Sequence, residues 1–414
     1  MRPGPGRAAL LALTTLLALG LWLAWLGQLG GTARMRVPSG AAPLALDSAY
    51  LWQRRWTPQV LRAIRDSRAV LGELRVLALE IDAAGVSTRI PVGLPALALS
   101  GMAIVPVVRI DGRRPPLAAT ELARQLQSLL AAWRAGGLAV HTIELDHDSA
   151  RAGLGAYADW IRLLRTQLPA DLRLDLTGLP DWLHSPELAL LLTRIDGFTL
   201  QVHAVDRPEA GLFDRARALR WARQFSQAYP GRDFRIALPT YAARIRGTLY
   251  WAQPEDAEAL LAALREQPVA GLTGVRWFRL PLPDATDTWS PATLAAVVGG
   301  HLRRVVLTLE ARPAANGAVD VWLRNDSALD WPLPDRVQVN GDCMGDGAGG
   351  FRLDADPGAA AGLVFLAVEA DRLAPARQRP LGWLRCTAPP EFVLDAPLVE
   401  SPHASPAPAT DRPH

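Results

Sequence analysis

Short apolar runs alternate with amphipathic stretches along most of this chain. Each run is bounded by turn-forming or charged residues and has the length of a buried strand. Eight such runs occur, at 48–52, 74–82, 102–111, 139–148, 172–179, 197–203, 234–241 and 274–281. Between them, apolar residues recur three and four positions apart, which predicts helices. The clearest helical stretches are 117–134, 154–167, 212–229 and 254–266.

Eight strands interleaved with helices over about 250 residues are typical of a (β/α)8 barrel, an α/β fold with a closed ring of parallel strands. Only the connection around 90–98 is a weak helix. A doubly wound open sheet is the structural alternative, but the Gly-rich first turn that would hold a dinucleotide is missing. We therefore predict a TIM barrel over residues 47–300.

After the predicted barrel, the sequence pattern changes to one of strands without helices between them. Apolar runs separated by turn-rich stretches predict a small β-sandwich domain over 302–395. The only two cysteines, Cys343 and Cys386, both fall here. In an oxidising compartment they are free to pair, the alternative being two buried thiols. The remaining segment, 396–414, is rich in Pro and Ala and is predicted to be disordered.

The N-terminal segment has the pattern of a membrane anchor. Arg2 and Arg7 precede an uncharged, mostly apolar run at 8–29, which is long enough to span a bilayer. We predict a signal anchor at 1–30 and a stem at 31–46, with the inner membrane as a partner and the bulk of the chain in the periplasm. A cleaved signal, with secretion to the periplasm, is the alternative.

Composition excludes several classes of function. All 44 basic residues are Arg. Without Lys, Schiff-base aldolase chemistry and a Walker-type phosphate loop are both ruled out. The net charge is only +3, and the Arg residues are scattered among 41 acids. We therefore expect no nucleic-acid partner.

Polar and aromatic residues cluster where the predicted strands end. In this fold the active site gathers at the carboxyl ends of the strands, so these residues are candidates for one site. The candidates for binding substrate are Trp52, Glu80, Asp82, Arg109, Asp111, Asp181, Trp182, Gln201, His203, Tyr241, Trp277 and Arg279. Aromatic rings at such a mouth can stack on sugar faces, although the Trp residues could equally belong to the core.

The fourth run ends with three acids, Glu144, Asp146 and Asp148. Residues two apart on a strand share a face, and an unpaired charge facing the apolar helix layer would be costly, so all three should point into the barrel. Crowded there, they must share protons, pair with Arg109 or Arg279, or hold a cation. We take them as the candidate catalytic residues, and a buried polar network that fixes the barrel interior is the alternative. No close His spacing supports a metal site, and we predict no cofactor.

The run 141–148 is similar to the fourth-strand signature of family-eighteen glycoside hydrolases, the chitinase-like enzymes. That signature places acids at its first, fourth, sixth and eighth positions, and the last is a Glu. Here His141 replaces the first acid and Asp148 replaces the Glu. The resemblance continues in the run 236–241, which looks like the family's Pro-x-Tyr strand, and at Trp277, where the family keeps a sugar-stacking Trp.

The resemblance implies roles for single residues. Asp148 would be the general acid, Asp146 would orient the N-acetyl group of the substrate, Tyr241 would bind that group and Trp277 would form the floor of the site. In this mechanism the substrate supplies the nucleophile. The Asp148 side chain reaches about 1.5 Å less than a Glu, and a misplacement of about 1 Å can cost 100-fold in rate.

A closer resemblance is to an uncharacterised bacterial family with barrels of this type, carried by the runs 51–56 and 177–183. That family brings no established activity. The sequence therefore predicts a glycoside-hydrolase-like barrel that acts on or binds a cell-envelope or exported polysaccharide. The alternatives are a noncatalytic carbohydrate-binding pseudoenzyme and an envelope assembly protein, because barrels host many functions. The oligomeric state stays open.

Overall fold

A computed structural model describes residues 44–203, 212–300, 306–355 and 362–394. The predicted anchor, most of the stem and the C-terminal tail lie outside these residues. Within the four described ranges, every helix is too short or too polar to cross a membrane.

Eight parallel strands form a closed barrel. They are β1 Ala45–Leu51, β2 Glu73–Ile81, β3 Ala103–Ile110, β4 Thr142–His147, β5 Arg173–Gly178, β6 Gly197–Gln201, β7 Phe234–Pro239 and β8 Leu272–Phe278. Each strand pairs with its neighbours in the chain, and β1 pairs with both β2 and β8, which closes the ring. The predicted α/β class and the eight-stranded parallel barrel are confirmed.

Helices surround the barrel in the predicted alternation. They are α1 Pro58–Ser67, α2 Leu94–Ala98, α3 Ala119–Ala135, α4 Leu154–Arg165, α5 Glu187–Leu192, α6 Arg215–Ala228, α7 Pro254–Glu266 and α8 Pro291–Gly299. The weak connection after β2 contains a short strand, Ser87–Arg89, and the five-residue α2. After β7, the hairpin Ala242–Ile245 and Thr248–Trp251 precedes α7.

The helices begin and pack for recognisable reasons. The Ser290 hydroxyl caps α8 by accepting the amide of Thr293, and Pro residues occupy the first turns of α1, α7 and α8. In α3, Leu122, Leu126 and Leu129 are fully buried at spacings of four and three. Each such leucine contributes about 1.5–3 kcal/mol by leaving water, so the apolar stripe holds the helix on the barrel.

Charged side chains occupy the middle of the barrel, where branched apolar residues are the rule. We call Glu73, Arg75, Glu144, Asp175 and Arg276 the interior ion network. Arg75 is 2% exposed and donates to Asp175 at 2.8 Å, to Glu73 at 2.9 Å and to Glu144. Arg276 also donates to Asp175, at 3.3 Å. These strands are therefore locked together by paired charges as well as by backbone hydrogen bonds.

A β-rich region follows the barrel, as predicted. Its first antiparallel sheet contains Leu307–Pro313, Val319–Asn325, Gln378–Cys386 and Cys343–Gly347, and its second contains Phe351–Ala355, Gly362–Ala367, Arg336–Asn340 and Glu391–Leu394. A two-stranded sheet joins Trp331–Pro332 to Arg372–Leu373. The two larger sheets share a core that includes Val321, Val337 and Phe365. A disulfide joins Cys343 to Cys386 across neighbouring strands.

Arg372 attaches this region to the barrel. Its side chain is 4% exposed and donates to Gln253 at 2.6 Å, to Glu255 at 3.2 Å and to the carbonyl of Asp330 at 2.5 Å. The Asp330 carboxylate accepts the amide of Ser290 at 2.6 Å. The β-rich region is therefore held against the first turns of α7 and α8.

Candidate functional site

A cavity of about 390 Å³ opens at the carboxyl ends of the barrel strands. Its lining residues come from all eight strands or the segments directly after them. They are Tyr50, Trp52, Arg54, Glu80, Arg109, Asp111, Asp146, Asp148, Thr177, Gln201, His203, Ala237, Tyr241 and Phe278. Nine of the fifteen candidate residues recognised in the sequence therefore converge on one space, as they do in barrels whose mouths bind ligands.

Arg109 organises the charged wall of this cavity. Its guanidinium donates to Asp146 at 3.0 Å, to Asp148 at 2.7 Å and to Asp111 at 3.1 Å. Arg109 and Asp146 are partners in the register of β3 and β4, which explains why their side chains meet. One cation is thus shared by three carboxylates, and the expected pairing of Arg109 with the acids is present.

Asp146 is the buried member of this group. Burial raises its pKa to about 7, repulsion from Asp148 and Glu144 adds to the rise, and Arg109 opposes it. Its Oδ2 accepts from Arg109, whereas its Oδ1 is buried and has no hydrogen-bond partner among the residues that the structure describes. A carboxyl of this kind exchanges a proton near neutral pH and has one oxygen left for a ligand.

Asp148 lies closer to solvent, since its side chain is 40% exposed. Within the described ranges, its carboxylate accepts one hydrogen bond, from Arg109. Asp146 and Asp148 therefore differ in environment, although Asp146 lies in β4 and Asp148 directly follows the end of that strand. Such a difference can separate the roles of two neighbouring carboxyl groups.

Aromatic rings form the opposite wall. Phe278 lies at its centre, with Trp52 5.2 Å and Tyr50 5.6 Å away in edge-to-face contact, measured between ring centroids. The imidazole of His203 stacks on Phe278 at 5.1 Å, and Tyr241 meets the same ring edge-on at 5.9 Å. Edge-to-face and stacked contacts of this kind hold each ring in a fixed orientation.

His203 contributes an uncharged imidazole to the cavity. It is 5% exposed, and burial lowers its pKa to about 4 although the charge of Asp148 opposes the shift. Its Nδ1 is buried, and no hydrogen-bond partner for it occurs in the described part of the chain. Like Oδ1 of Asp146, this atom is a polar group available to a bound molecule.

Glu144 does not line the cavity. It is fully buried one layer deeper, where it belongs to the interior ion network and accepts hydrogen bonds from Tyr50, at 2.7 Å, and from Thr177. The interpretation of all three acids as one cluster at the mouth is therefore wrong for Glu144, and the alternative of a buried polar network describes it. Tyr50 connects the two layers, because its ring also belongs to the aromatic wall.

The expectation that Trp277 and Trp182 face the ligand is also wrong. Both are fully buried, and their indole nitrogens donate to the carbonyls of Leu46 and Ser149, each at 2.9 Å. Trp277 alternates with its neighbour on β8, so its side chain faces the helices and Phe278 faces the cavity. The peptide bond after Phe278 is cis.

Three further candidates lie outside the cavity. Asp82 accepts the amides of Ala84 and Val86 and so closes a turn. Asp181 forms an exposed ion pair with Arg151 at 3.4 Å, and Arg279 donates to Asp287. Each follows a strand end in sequence, but the chain turns away before the side chain can reach the centre.

Sequence reasoning missed Tyr50, Arg54 and Phe278. The alternation along β1 and β8 would have placed Tyr50 and Phe278 on the inner face, because each lies an even number of residues from an inward position. Arg54 follows β1 in a loop and pairs with Glu80 through two hydrogen bonds, at 2.8 and 2.5 Å. In the described part of the chain, no three His, Cys, Asp or Glu residues are grouped so that they could hold a metal ion.

The chain is a barrel protein with a candidate ligand site at its mouth. Residues 100–250 match the model of the family described as Domain of unknown function (DUF3142), and residues 308–387 match Domain of unknown function (DUF8456). The predicted relationship to an uncharacterised domain family is confirmed. The chain matches no curated protein.

Several solved structures are similar at low identity. The spore cortex-lytic enzyme SleL of Bacillus cereus is 12% identical, with 63% of this chain and 75% of that chain covered and a TM-score of 0.46. A chitinase from Chromobacterium violaceum is 14% identical, with coverages of 61% and 98% and a TM-score of 0.45. The GH18 chitinase ChiB of Flavobacterium johnsoniae is 12% identical, with coverages of 58% and 89% and a TM-score of 0.41.

Proposed function

We propose that the barrel binds a saccharide in the cavity at its mouth. The observation that carries this is the division of the cavity into an aromatic wall around Phe278 and a charged wall around Arg109. A pyranose ring has an apolar face of C–H groups and a rim of hydroxyl groups, so it can contact both walls at once. The volume of about 390 Å³ falls within the range of small-molecule sites.

The unpartnered polar atoms support the same proposal. Asp146 Oδ1 and His203 Nδ1 are both buried and both belong to residues that line the cavity. A buried polar atom without a partner costs on the order of 1–3 kcal/mol, and hydroxyl groups of a bound sugar would remove that cost. Gln201 adds an amide that can donate and accept at the same time.

Glycoside hydrolysis is a second candidate, favoured by the raised pKa of Asp146. A carboxyl that titrates near neutral pH can give a proton to a leaving glycosidic oxygen and recover it from water. The resemblance to family-eighteen enzymes assigns donation to Asp148 and a supporting role to Asp146. In this chain Asp146 is the more buried of the two carboxyl groups, and burial raises its pKa to about 7, so we expect Asp146 to be the group that holds the proton before the reaction.

The source of the saccharide follows from the N-terminal sequence. A membrane anchor or cleaved signal at 1–30 would put the barrel in the periplasm, where cell-envelope and exported polysaccharides are the available ligands. A disulfide between Cys343 and Cys386 suits an oxidising compartment of that kind. This location is part of the proposal, and fractionation of cells that express the full chain would test it.

The experiment that tests binding is calorimetric titration of the full chain with oligosaccharides of glucose and of N-acetylhexosamines. We expect binding that falls in Asp146→Asn and is unchanged in Asp181→Asn, whose carboxylate is exposed and outside the cavity. Release of sugar from chromogenic glycosides by the same proteins tests hydrolysis. Binding without release supports a noncatalytic carbohydrate-binding protein, and an absence of binding to every glycan contradicts the proposal.

A further inference from the structure

The formal charges of the cavity do not cancel. Among the described residues that line it, the cations are Arg54 and Arg109, and the acids are Glu80, Asp111, Asp146 and Asp148. His203 adds no charge at neutral pH, because burial lowers its pKa to about 4. Carboxylates therefore outnumber guanidinium groups, even when Asp146 is protonated.

Both guanidinium groups already have anionic partners. Arg54 forms two hydrogen bonds with Glu80, at 2.8 and 2.5 Å, and Arg109 is shared by Asp146, Asp148 and Asp111. A uronate or sulfate in this cavity would have to displace one of these carboxylates, and it would add to the excess of negative charge. Like charges in a partly buried site repel strongly, so the described walls disfavour an anionic sugar.

A positively charged group on the ligand would find suitable partners in this cavity. Asp148 presents a 40% exposed side chain, and Oδ1 of the 8% exposed Asp146 has no hydrogen-bond partner within the described ranges. Across the cavity, the faces of aromatic rings such as Trp52, Tyr241 and Phe278 can stabilise a cation through their ring electrons. The unpartnered Nδ1 of His203, 5% exposed, is a separate indication that this space is built for a polar ligand.

We infer that the saccharide carries a protonated amine, as an unsubstituted hexosamine does, which is held by the carboxylate of Asp148 and a carboxyl oxygen of Asp146 beside the aromatic wall. This inference rests on the proposed function, because it names the class of sugar that the same cavity selects. An ammonium group has three donors and no acceptor, so two carboxylates can satisfy it where a neutral hydroxyl would leave acceptors unmatched.

The test compares oligosaccharides of the same length and linkage by calorimetric titration of the full chain. The three probes are a glucosamine oligomer, its fully N-acetylated counterpart and a galacturonate oligomer, at a pH where the amine is protonated. We expect the amine-bearing oligomer to bind at least about 10-fold more tightly than the N-acetylated one, which corresponds to about 1.4 kcal/mol. This advantage should shrink as salt is added, and the uronate should bind most weakly.

Asp148→Asn is the informative variant, and Asp181→Asn is its matched control. Asp148→Asn should abolish most of the preference for the amine, measured as the ratio of the affinities for the two oligomers, and thermal unfolding checks that the variant is folded. Asp181→Asn should keep the preference. Equal binding of the amine-bearing and N-acetylated oligomers, or tightest binding of the uronate, overturns the inference and leaves saccharide binding in place. If no oligomer binds, the proposed function itself fails.

Discussion

Arg109 and Asp146 are register partners on neighbouring parallel strands, with Nη1 of the arginine 3.0 Å from Oδ2 of the aspartate. Asp146 nevertheless has a pKa of about 7, because burial and the nearby carboxylates outweigh the single guanidinium. Arg109 divides its charge among three acids. Among the described residues, Oδ1 of Asp146 is left without a hydrogen-bond partner, and this feature connects the structure to the proposed ligand.

The free energy of unfolding should depend on pH because Asp146 binds a proton in the folded state. Its pKa is raised on folding from 3.8 to about 7, so the folded state binds the extra proton between these values. At pH values below about 4, the proton on Asp146 stabilises the folded state. This contribution to the free energy of unfolding is lost as the pH rises to about 7, at about 1 kcal/mol per pH unit. Between about pH 4 and pH 6.5, His203 has the opposite effect, because its lowered pKa makes the folded state more stable as the pH rises.

Comparing the parent with Asp146→Asn isolates the first effect, because His203 is common to both. We expect the free energy of unfolding, measured in urea at several pH values, to shift in favour of the variant as the pH rises from about 4 to 7. Two parallel curves would contradict the raised pKa.

Replacing Arg109 should destabilise the charged wall. Arg109→Gln leaves Asp146, Asp148 and Asp111 without their shared cation, and hydrogen bonds to charged groups contribute about 1.5–3 kcal/mol each before screening by solvent. Since the Arg109 side chain is 24% exposed, we expect a loss of about 1–3 kcal/mol in urea unfolding at neutral pH. Arg54→Gln, at a side chain that is 60% exposed, should cost less than about 1 kcal/mol. A larger loss of stability in Arg54→Gln than in Arg109→Gln would contradict the claim that Arg109 holds the charged wall together.

Trp52, in the aromatic wall, should contribute more to saccharide binding than to folding. Trp52→Ala removes one ring beside Phe278, and we expect saccharide affinity to fall about five- to tenfold, since one aromatic contact contributes on the order of 1 kcal/mol. Calorimetric titration measures this loss. Trp383→Ala, an exposed indole on the β-rich region, is the control and should bind as the parent does. Unchanged affinity in Trp52→Ala would remove this ring from the binding site.

Glu144 should behave as a structural residue. Glu144→Gln leaves Arg75 short of a buried partner, and breaking a buried ion pair typically costs about 3–5 kcal/mol. The midpoint of urea unfolding should fall accordingly, whereas Glu121→Gln on the exposed face of α3 should have little effect. A Glu144→Gln protein with parental stability would show that the interior ion network does not hold the barrel together.

The fold could be predicted because its signal repeats along the chain. Each buried strand is a run of apolar residues, and eight repetitions with helices between them leave few alternatives to a closed barrel. The inward direction of Asp146 and Asp148 was likewise predictable from alternation. Helix and strand bounds differ from the predictions by a few residues, as expected where local patterns fade at element ends.

The height of a residue within the barrel could not be predicted in the same way. A strand rises about 3.3 Å per residue, so residues of one strand that share an inner face lie at different heights and can belong to different layers. Glu144 is two residues before Asp146 and belongs to the interior ion network below the cavity. The orientations of Asp181 and Arg279 depend on loops whose course no periodicity describes.

The central claim is that a sugar lies between the aromatic and charged walls of this cavity. A crystal structure of the full chain soaked with a glucosamine oligomer tests it most directly. We predict electron density for a pyranose ring against Phe278 and Trp52, with its amine within hydrogen-bond distance of Asp146 or Asp148. Density for the sugar only elsewhere on the protein, with this cavity holding water alone, would contradict the account.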